Sequence, residues 1–461
     1  MFDKKIYKER RELLRKQVES GIILLPGNEE AAMNYPANPY PFRQDSHFLY
    51  FFGLDKPGFM GVIDVDEDRD YIFGEDFTID DIIWMGPQPT VKELAARVGV
   101  SHTGNLGQLT EKLDQAIERG RQVHYLPPYR AQNILKLEKL LGIAASRIKQ
   151  YSSEKLIKAA VAQRAVKSAE EVREIEKALE ISSQMYEIVM AHTKPGVTEK
   201  EIVGKIEGLV GGHGSHVSFP IILSVHGETL HNHYHGNRMK EGDLLVTDSG
   251  AESPEFYASD ITRTFPVSGT FTPRQKDIYE IVLESQLTAI KMAKPGKKYR
   301  DVHLKVAEVI ASGLKSVGLM KGNTADAVKA GAHGLFFPHG LGHMMGLDVH
   351  DMEDVGENYI GYTDKIKRSD QFGLAYLRFA REPEPGYVLT VEPGIYFIPA
   401  LIDQWKGEQK HKDFINYDKV EGYKGFGGIR IEDDILITDK GCRVLGQPIP
   451  RTIDEIEQIM G

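Results

Sequence analysis

Four stretches of this 461-residue chain carry acids and histidines at spacings that suit catalysis. Asp248 and Asp260 lie in VTDSGAESPEFYASDITRTFPV, where two β-rich runs flank a Ser-Pro turn. A hairpin there brings the two carboxylates side by side. Two like charges that close are costly unless one takes a proton or a cation sits between them. Glu392 in VLTVEPGIYF and Glu432 in GGIRIEDDILIT each interrupt an apolar run. Burying a carboxylate among Val, Ile and Leu is expensive without a partner. Arg430, two residues before Glu432, shares its face of a strand. His339 and His343 lie in FPHGLGHMMGLDVHD. Gly340 and Gly342 disfavour a helix and no Glu follows His339, so this is not the two-histidine zinc helix. Singly, each feature has a plainer reading: a solvated hairpin, a structural imidazole, a simple Arg–Glu pair.

Taken together they amount to four carboxylates and one imidazole. Oxygen-rich ligation with a single nitrogen favours harder divalent ions, Mn²⁺ first, with Co²⁺, Zn²⁺ or Fe²⁺ compatible. Four acids exceed the needs of one catalytic zinc with three protein ligands. They suit two ions about 3.5–4 Å apart.

The elements around these residues repeat. Lys194-Pro195-Gly196 follows one helical stretch and Lys294-Pro295-Gly296 another. Gly242 to Gly250 matches Gly386 to Gly394 in register, each a glycine, an apolar strand, a carboxylate (Asp248 or Glu392) and a second glycine. Two matches in the same order predict a domain of two similar halves, with Asp248 and Glu392 at equivalent strand ends. Ahead of it, GIILLP (21–26) and GVIDV (61–65) read as buried strands, and Lys92–Val98 and Leu109–Glu118 as helices. This is the pattern of an α/β domain. Ser168 and Glu171 have capping-box spacing and open a long helix through Val172, Ile175, Leu179, Tyr186 and Val189. The expected division is an N-terminal α/β domain over 1–160 and a catalytic domain over 161–461.

Composition narrows the class. The net charge of -10 comes from 57 basic and 67 acidic residues. They are spread along the chain, which favours solubility and argues against nucleic acid as the main partner. The single cysteine, Cys442, excludes an intrachain disulfide. The charged start MFDKKIYKERRELLRKQ has no apolar run behind it, and the longest apolar runs are too short for a bilayer. The expectation is a cytoplasmic protein without a membrane segment.

LHNHYHGNRMKEGDLLVTDSG, SDITRTFPVSG, HGLGHMMGLDVHD, VLTVEPGIYF and GGIRIEDDILIT together resemble the pita-bread metallopeptidases, in particular the Xaa-Pro group of aminopeptidase P and prolidase. PYPFRQDSHFLYFFGLDKPGFMGVIDVD resembles the N-terminal domain of those enzymes, of the creatinase and aminopeptidase P type, so the likeness covers nearly the whole chain. The resemblance implies an α/β N-terminal domain and a C-terminal α+β pita-bread domain with pseudo-twofold halves. It implies Asp248, Asp260, His343, Glu392 and Glu432 as ligands of two metal ions, with Asp260 and Glu432 bridging. His231, His339 and His350 match histidines that hold substrate or stabilise the tetrahedral intermediate. Arg430 matches an arginine that orients the ligand carboxylates, and Arg378, in LRFAREPEPG, one that contacts a dipeptide carboxylate in prolidase. The family places ten residues between the two aspartates and this chain eleven; the extra residue is expected in the Ser253–Glu255 turn, leaving the strands in register.

The implied activity is hydrolysis of the bond before proline at a peptide N-terminus. A proline imide has no N–H to grip, so a dedicated site must supply a ring pocket and a strong electrophile. Glu392 is the expected proton carrier, and His231 and His339 the expected oxyanion donors. The Pro399–Phe426 segment, Arg378 and GVIDVD resemble prolidase, which is confined to dipeptides; YPFRQDS resembles aminopeptidase P. The intact ligand set argues against a metal-free pseudoenzyme or a creatinase-like hydrolase on the same fold. The expected partners are proline-containing peptides and other copies of the chain, as a dimer or tetramer.

Overall fold

A computed structural model describes residues 1–461. The chain divides into two compact units, Met1–Arg164 with Met352–Tyr359, and Ala165–Asp351 with Ile360–Gly461. No helix is long and apolar enough to cross a membrane.

The first unit is built on a five-stranded sheet. Its spatial order is His102–Gly104, Arg69–Phe73, Met60–Asp64, Ile22–Pro26, Val123–His124. The two central strands are apolar runs with little alternation, as expected of strands covered on both faces. Ile22, Leu24, Met60 and Val62 meet Leu109, Leu113 and Ala116 of the helix Leu106–Glu118 in one core. That helix starts on an Asn105–Gln108 capping box. The buried Asp64 lies at the end of its strand. Burial would raise its pKa, but hydrogen bonds from Arg121 and Lys112 outweigh it and hold the carboxyl below its ordinary value. Residues 352–359 pack with this unit, with Met352 and Val355 buried and Asp354 3.6 Å from the His47 ring.

The second unit realises the internal repeat. Helices Ala169–His192 and Glu199–Gly212 are joined through the first Lys-Pro-Gly turn, and Pro273–Met292 and Tyr299–Ser316 through the second. The paired glycines Gly196 and Gly296, and likewise Gly242 and Gly386, all lie at positive φ, which glycine adopts without strain. Behind the first helix pair stands the sheet Ile222–Ser224, Leu244–Ser249, Ile261–Pro266. Behind the second stand Cys442–Val444, Asp433–Ile437 and Val388–Val391, and the pair Gly394–Tyr396 with Gly428–Arg430. A bridge between Thr262 and Glu432 joins the halves. The predicted capping box at Ser168 and Glu171 opens the long helix.

Candidate metal centre

The hairpin comes first. Leu244–Ser249 pairs with Ile261–Pro266 with Asp248 opposite Thr262, and the same register returns at Glu252 opposite Ala258. The ladder therefore carries no bulge, and Ser253 N–H still donates to Tyr257 O at 2.8 Å, so the turn is made by the three residues from Pro254 to Phe256. Asp248, Asp260 and Thr262 fall on one face by the two-residue alternation.

His343 arrives on an irregular loop laid against Val388–Val391. Its backbone exchanges hydrogen bonds with Thr390, and Glu392 N–H donates to Leu341 O. A Cβ on Gly342 would sit 2.0 Å from Thr390 O, so only glycine lets the loop approach this closely. His343 Nδ1–H donates to Met344 O at 3.0 Å. This fixes the tautomer and turns a bare Nε2 towards Asp260 Oδ2 at 3.4 Å and Glu392 Oε1 at 3.6 Å. Atoms of Asp260, His343 and Glu432 lie within 4.8 Å of one another, all three residues buried.

Arg430 does not form the simple pair with Glu432 that sequence proximity suggests. Its Nη2 donates to Asp248 Oδ2 at 2.5 Å, its Nε to Thr262 Oγ1 at 3.0 Å and its Nη1 to the Tyr396 hydroxyl at 2.7 Å. Thr262 passes the connection on to Glu432 Oε2 at 2.7 Å. One guanidinium thus orders two carboxylates, one directly and one through a hydroxyl.

The electrostatics call for a cation. Buried oxygens of Asp248, Asp260, Glu432 and Asp434 have no hydrogen-bond partner. Burial, then the charges of Asp248 and Asp434, push Asp260 well above the usual carboxyl range. Glu432 is raised by burial and then by Asp260, and Glu392 by burial. Burial holds His343 neutral by lowering its pKa. Orphaned carboxylate oxygens around a bare imidazole nitrogen fit divalent metal ions, whose charge reverses these shifts.

The other expected residues surround this group at different depths. The His350 ring stands edge-on to His343, centroids 4.4 Å apart. Arg378 is half-buried, and its charge reaches His343 and Glu392. His231 is exposed at the rim; partial desolvation and then Arg430 lower its pKa. His339 is pulled down to about 3, by burial first and Arg430 next. Its Nδ1 is 2.8 Å from Gly340 O, which can only accept. The neutral ring therefore donates there and accepts from the Tyr396 hydroxyl at 2.9 Å through Nε2. Both nitrogens are committed, so the direct oxyanion hydrogen bond expected of His339 has no N–H to supply it. Nδ1 instead faces Glu392 Oε2 at 3.7 Å.

Sequence reasoning missed Thr262, Tyr396, Thr390 and Asp434. Asp434 Oδ2 accepts from Asp260 N–H at 3.1 Å, and its side chain is fully buried. Three of the four stand two residues from a named ligand, so the strand period was the available signal. Tyr396 gave none, because it acts from the neighbouring strand.

The description "Metallopeptidase family M24" matches residues 173–439, and "Aminopeptidase P, N-terminal domain" matches 7–125. The Xaa-Pro dipeptidase of Homo sapiens is 32% identical over 97% of this chain and 91% of that protein. A probable Xaa-Pro aminopeptidase of Aspergillus niger is 33% identical over 92% of this chain and 85% of that protein. A single-substitution variant of Escherichia coli aminopeptidase P in complex with substrate superposes over 100% of this chain and 98% of its own, with a TM-score of 0.83 and 29% identity.

Proposed function

Because the chain belongs to metallopeptidase family M24, within its Xaa-Pro pita-bread group, and is a metallo-hydrolase, we propose that it is an Xaa-Pro aminopeptidase holding two divalent ions, Mn²⁺ by preference. The observation that carries the reading is the buried cluster of Asp260, His343 and Glu432, flanked by Asp248 and Glu392, with its orphaned carboxylate oxygens. Asp260 and Glu432 would bridge the ions, Asp248 would complete one, and His343 and Glu392 the other. When bound, the ions polarise the scissile carbonyl and make water nucleophilic at neutral pH.

The chain's own groups do the rest. Glu392 takes a proton at Oε2 and passes it to the leaving proline nitrogen. His339 packs against that carboxylate without donating to it, its Nδ1–H being bonded to Gly340 O, and Arg430 fixes Asp248. His231 and His350 meet the substrate, His231 donating to the carbonyl oxygen as charge develops. Arg378 offers a planar fork for a carboxylate on the product side. The near-complete superposition on aminopeptidase P and the aminopeptidase names among the relatives support the aminopeptidase reading. The second reading, an Xaa-Pro dipeptidase, is favoured by Arg378, whose charge reaches Glu392, and by the dipeptidase names. The bare patch on the short helix Ile79–Met85 supports a homo-oligomer: Ile79 and Ile83 are each 71% exposed and Trp84 86%. The charge balance and the absence of a long apolar helix agree with a cytoplasmic enzyme.

The test compares Ala-Pro with Ala-Pro-Ala after chelation and Mn²⁺ addition. Metal-dependent cleavage of the tripeptide at the bond before proline is expected. Full activity in rigorously metal-free protein overturns the reading, and cleavage of the dipeptide alone replaces it with the second.

A further inference from the structure

Two histidines in the second unit are left unused by this chemistry. His303, on the helix Tyr299–Ser316, and His333, on the short turn Ala332–Leu335, are both completely buried. None of their four ring nitrogens has a hydrogen-bond partner. Their centroids are 6.4 Å apart at 68°, too far for a direct hydrogen bond. The protein contacts of these rings are made through their flat faces and edges. His303 stacks on Phe337 at 5.1 Å and 29°. Phe337 stands edge-on to His339 at 5.0 Å and 80°. His339 is bonded to Tyr396, Tyr396 to Arg430, and Arg430 to Asp248.

We propose that His333, His303, Phe337 and His339 form a column of four rings that sets the plane of His339 and, through Tyr396 and Arg430, the aim of Asp248. His303 and Phe337 are then positioning residues for the peptidase reaction, although neither touches substrate. Offset and edge-to-face ring contacts have preferred geometries and transmit orientation as an aliphatic contact of equal volume does not. The column also stays uncharged. Burial holds His303 far below its ordinary value and His333 down to about 4. No positive charge therefore appears behind the site over the range in which a peptidase works.

The inference rests on the functional reading above, and the test separates the two. Phe337→Leu keeps an apolar side chain and removes the ring; His303→Phe keeps a ring and removes the nitrogens; His303→Ala removes both. With saturating Mn²⁺, Phe337→Leu and His303→Ala should lower kcat about tenfold with KM within about twofold, a fraction of what a 1 Å misplacement costs. His303→Phe should retain kcat within about threefold. In a His339→Ala background, Phe337→Leu should cost nothing further, because its whole effect passes through that ring. Imidazole NMR of ¹⁵N-histidine protein gives an activity-free readout: the His339 Nδ1–H signal, sharp in the parent, should broaden in Phe337→Leu. Unchanged kcat in Phe337→Leu that is folded at the assay temperature overturns the column. So does an equal loss in the His339→Ala background, or an unaltered His339 signal. If the parent cleaves no Xaa-Pro peptide, the functional reading fails, and the NMR result still decides whether the rings fix His339.

Discussion

At the scale of single residues, the bridging assignment separates the ligands. Asp260→Asn or Glu432→Gln should weaken both ions, since each would lose a shared carboxylate, whereas His343→Ala should mainly strip one. Elemental analysis after dialysis reads the difference; two tightly held ions in Glu432→Gln would remove it from the bridge. Arg378 decides substrate length. In a dipeptidase, Arg378→Ala should raise KM for Ala-Pro about ten- to a hundredfold, the worth of a charged hydrogen bond of roughly 1.5–3 kcal/mol. A tripeptide, whose carboxylate lies one residue further out, should suffer much less. In an aminopeptidase, Ala-Pro is a poor substrate from the start and the ratio hardly moves. Equal losses on both peptides would take Arg378 out of the substrate site. The residue-level signals were legible where chemistry and spacing coincide, as in the two hairpin aspartates. They were not legible for His339, whose hydrogen-bond roles depend on a carbonyl next door and a phenol 57 positions away.

Among the elements, the loop from His343 to His350 depends on an ion pair rather than regular structure. Asp351 N–H closes it on Met344 O. The Asp351 carboxylate meets Lys167 Nζ at 2.8 Å, with each side chain 1% exposed. Removing one partner breaks a buried ion pair, so Lys167→Met or Asp351→Leu alone should cost about 3–5 kcal/mol of stability. The double variant should recover most of that in chemical denaturation, and additive losses would show that the charges act separately. The strands and helices around the loop could be read from the chain because period, caps and turn residues agree locally. Of the matching glycines, Gly196, Gly296, Gly242 and Gly386 take a left-handed backbone, whereas Gly250 and Gly394 do not. The pairing of Arg430 with Asp248 could not be read, because 182 positions separate them and local pattern favoured Glu432.

For the whole molecule, the buried acids tie metal to stability. Asp260, Glu432, Glu392 and Asp434 all have raised pKa values in the folded state. Between the ordinary carboxyl value near pH 4 and those raised values, the folded metal-free protein binds more protons than the unfolded chain. Its stability from these groups is therefore present at the acid end and is lost as pH rises. Bound cations offset that loss but compete with protons for the same oxygens. The increase in Tm on adding Mn²⁺ should accordingly grow from pH 5 to pH 8 in differential scanning calorimetry; a constant increment would mean that the ions bind elsewhere. The placement of residues 352–359 in the first unit bears on how the chain is born. Arg164 leaves the ribosome long before Tyr359, by roughly 10–40 s at ordinary synthesis rates. Throughout that interval the nascent first unit lacks the segment that brings Asp354 beside His47 and buries Met352 and Val355. Its last piece arrives inside the coding stretch of the other unit, so neither unit can finish as an independent translation product.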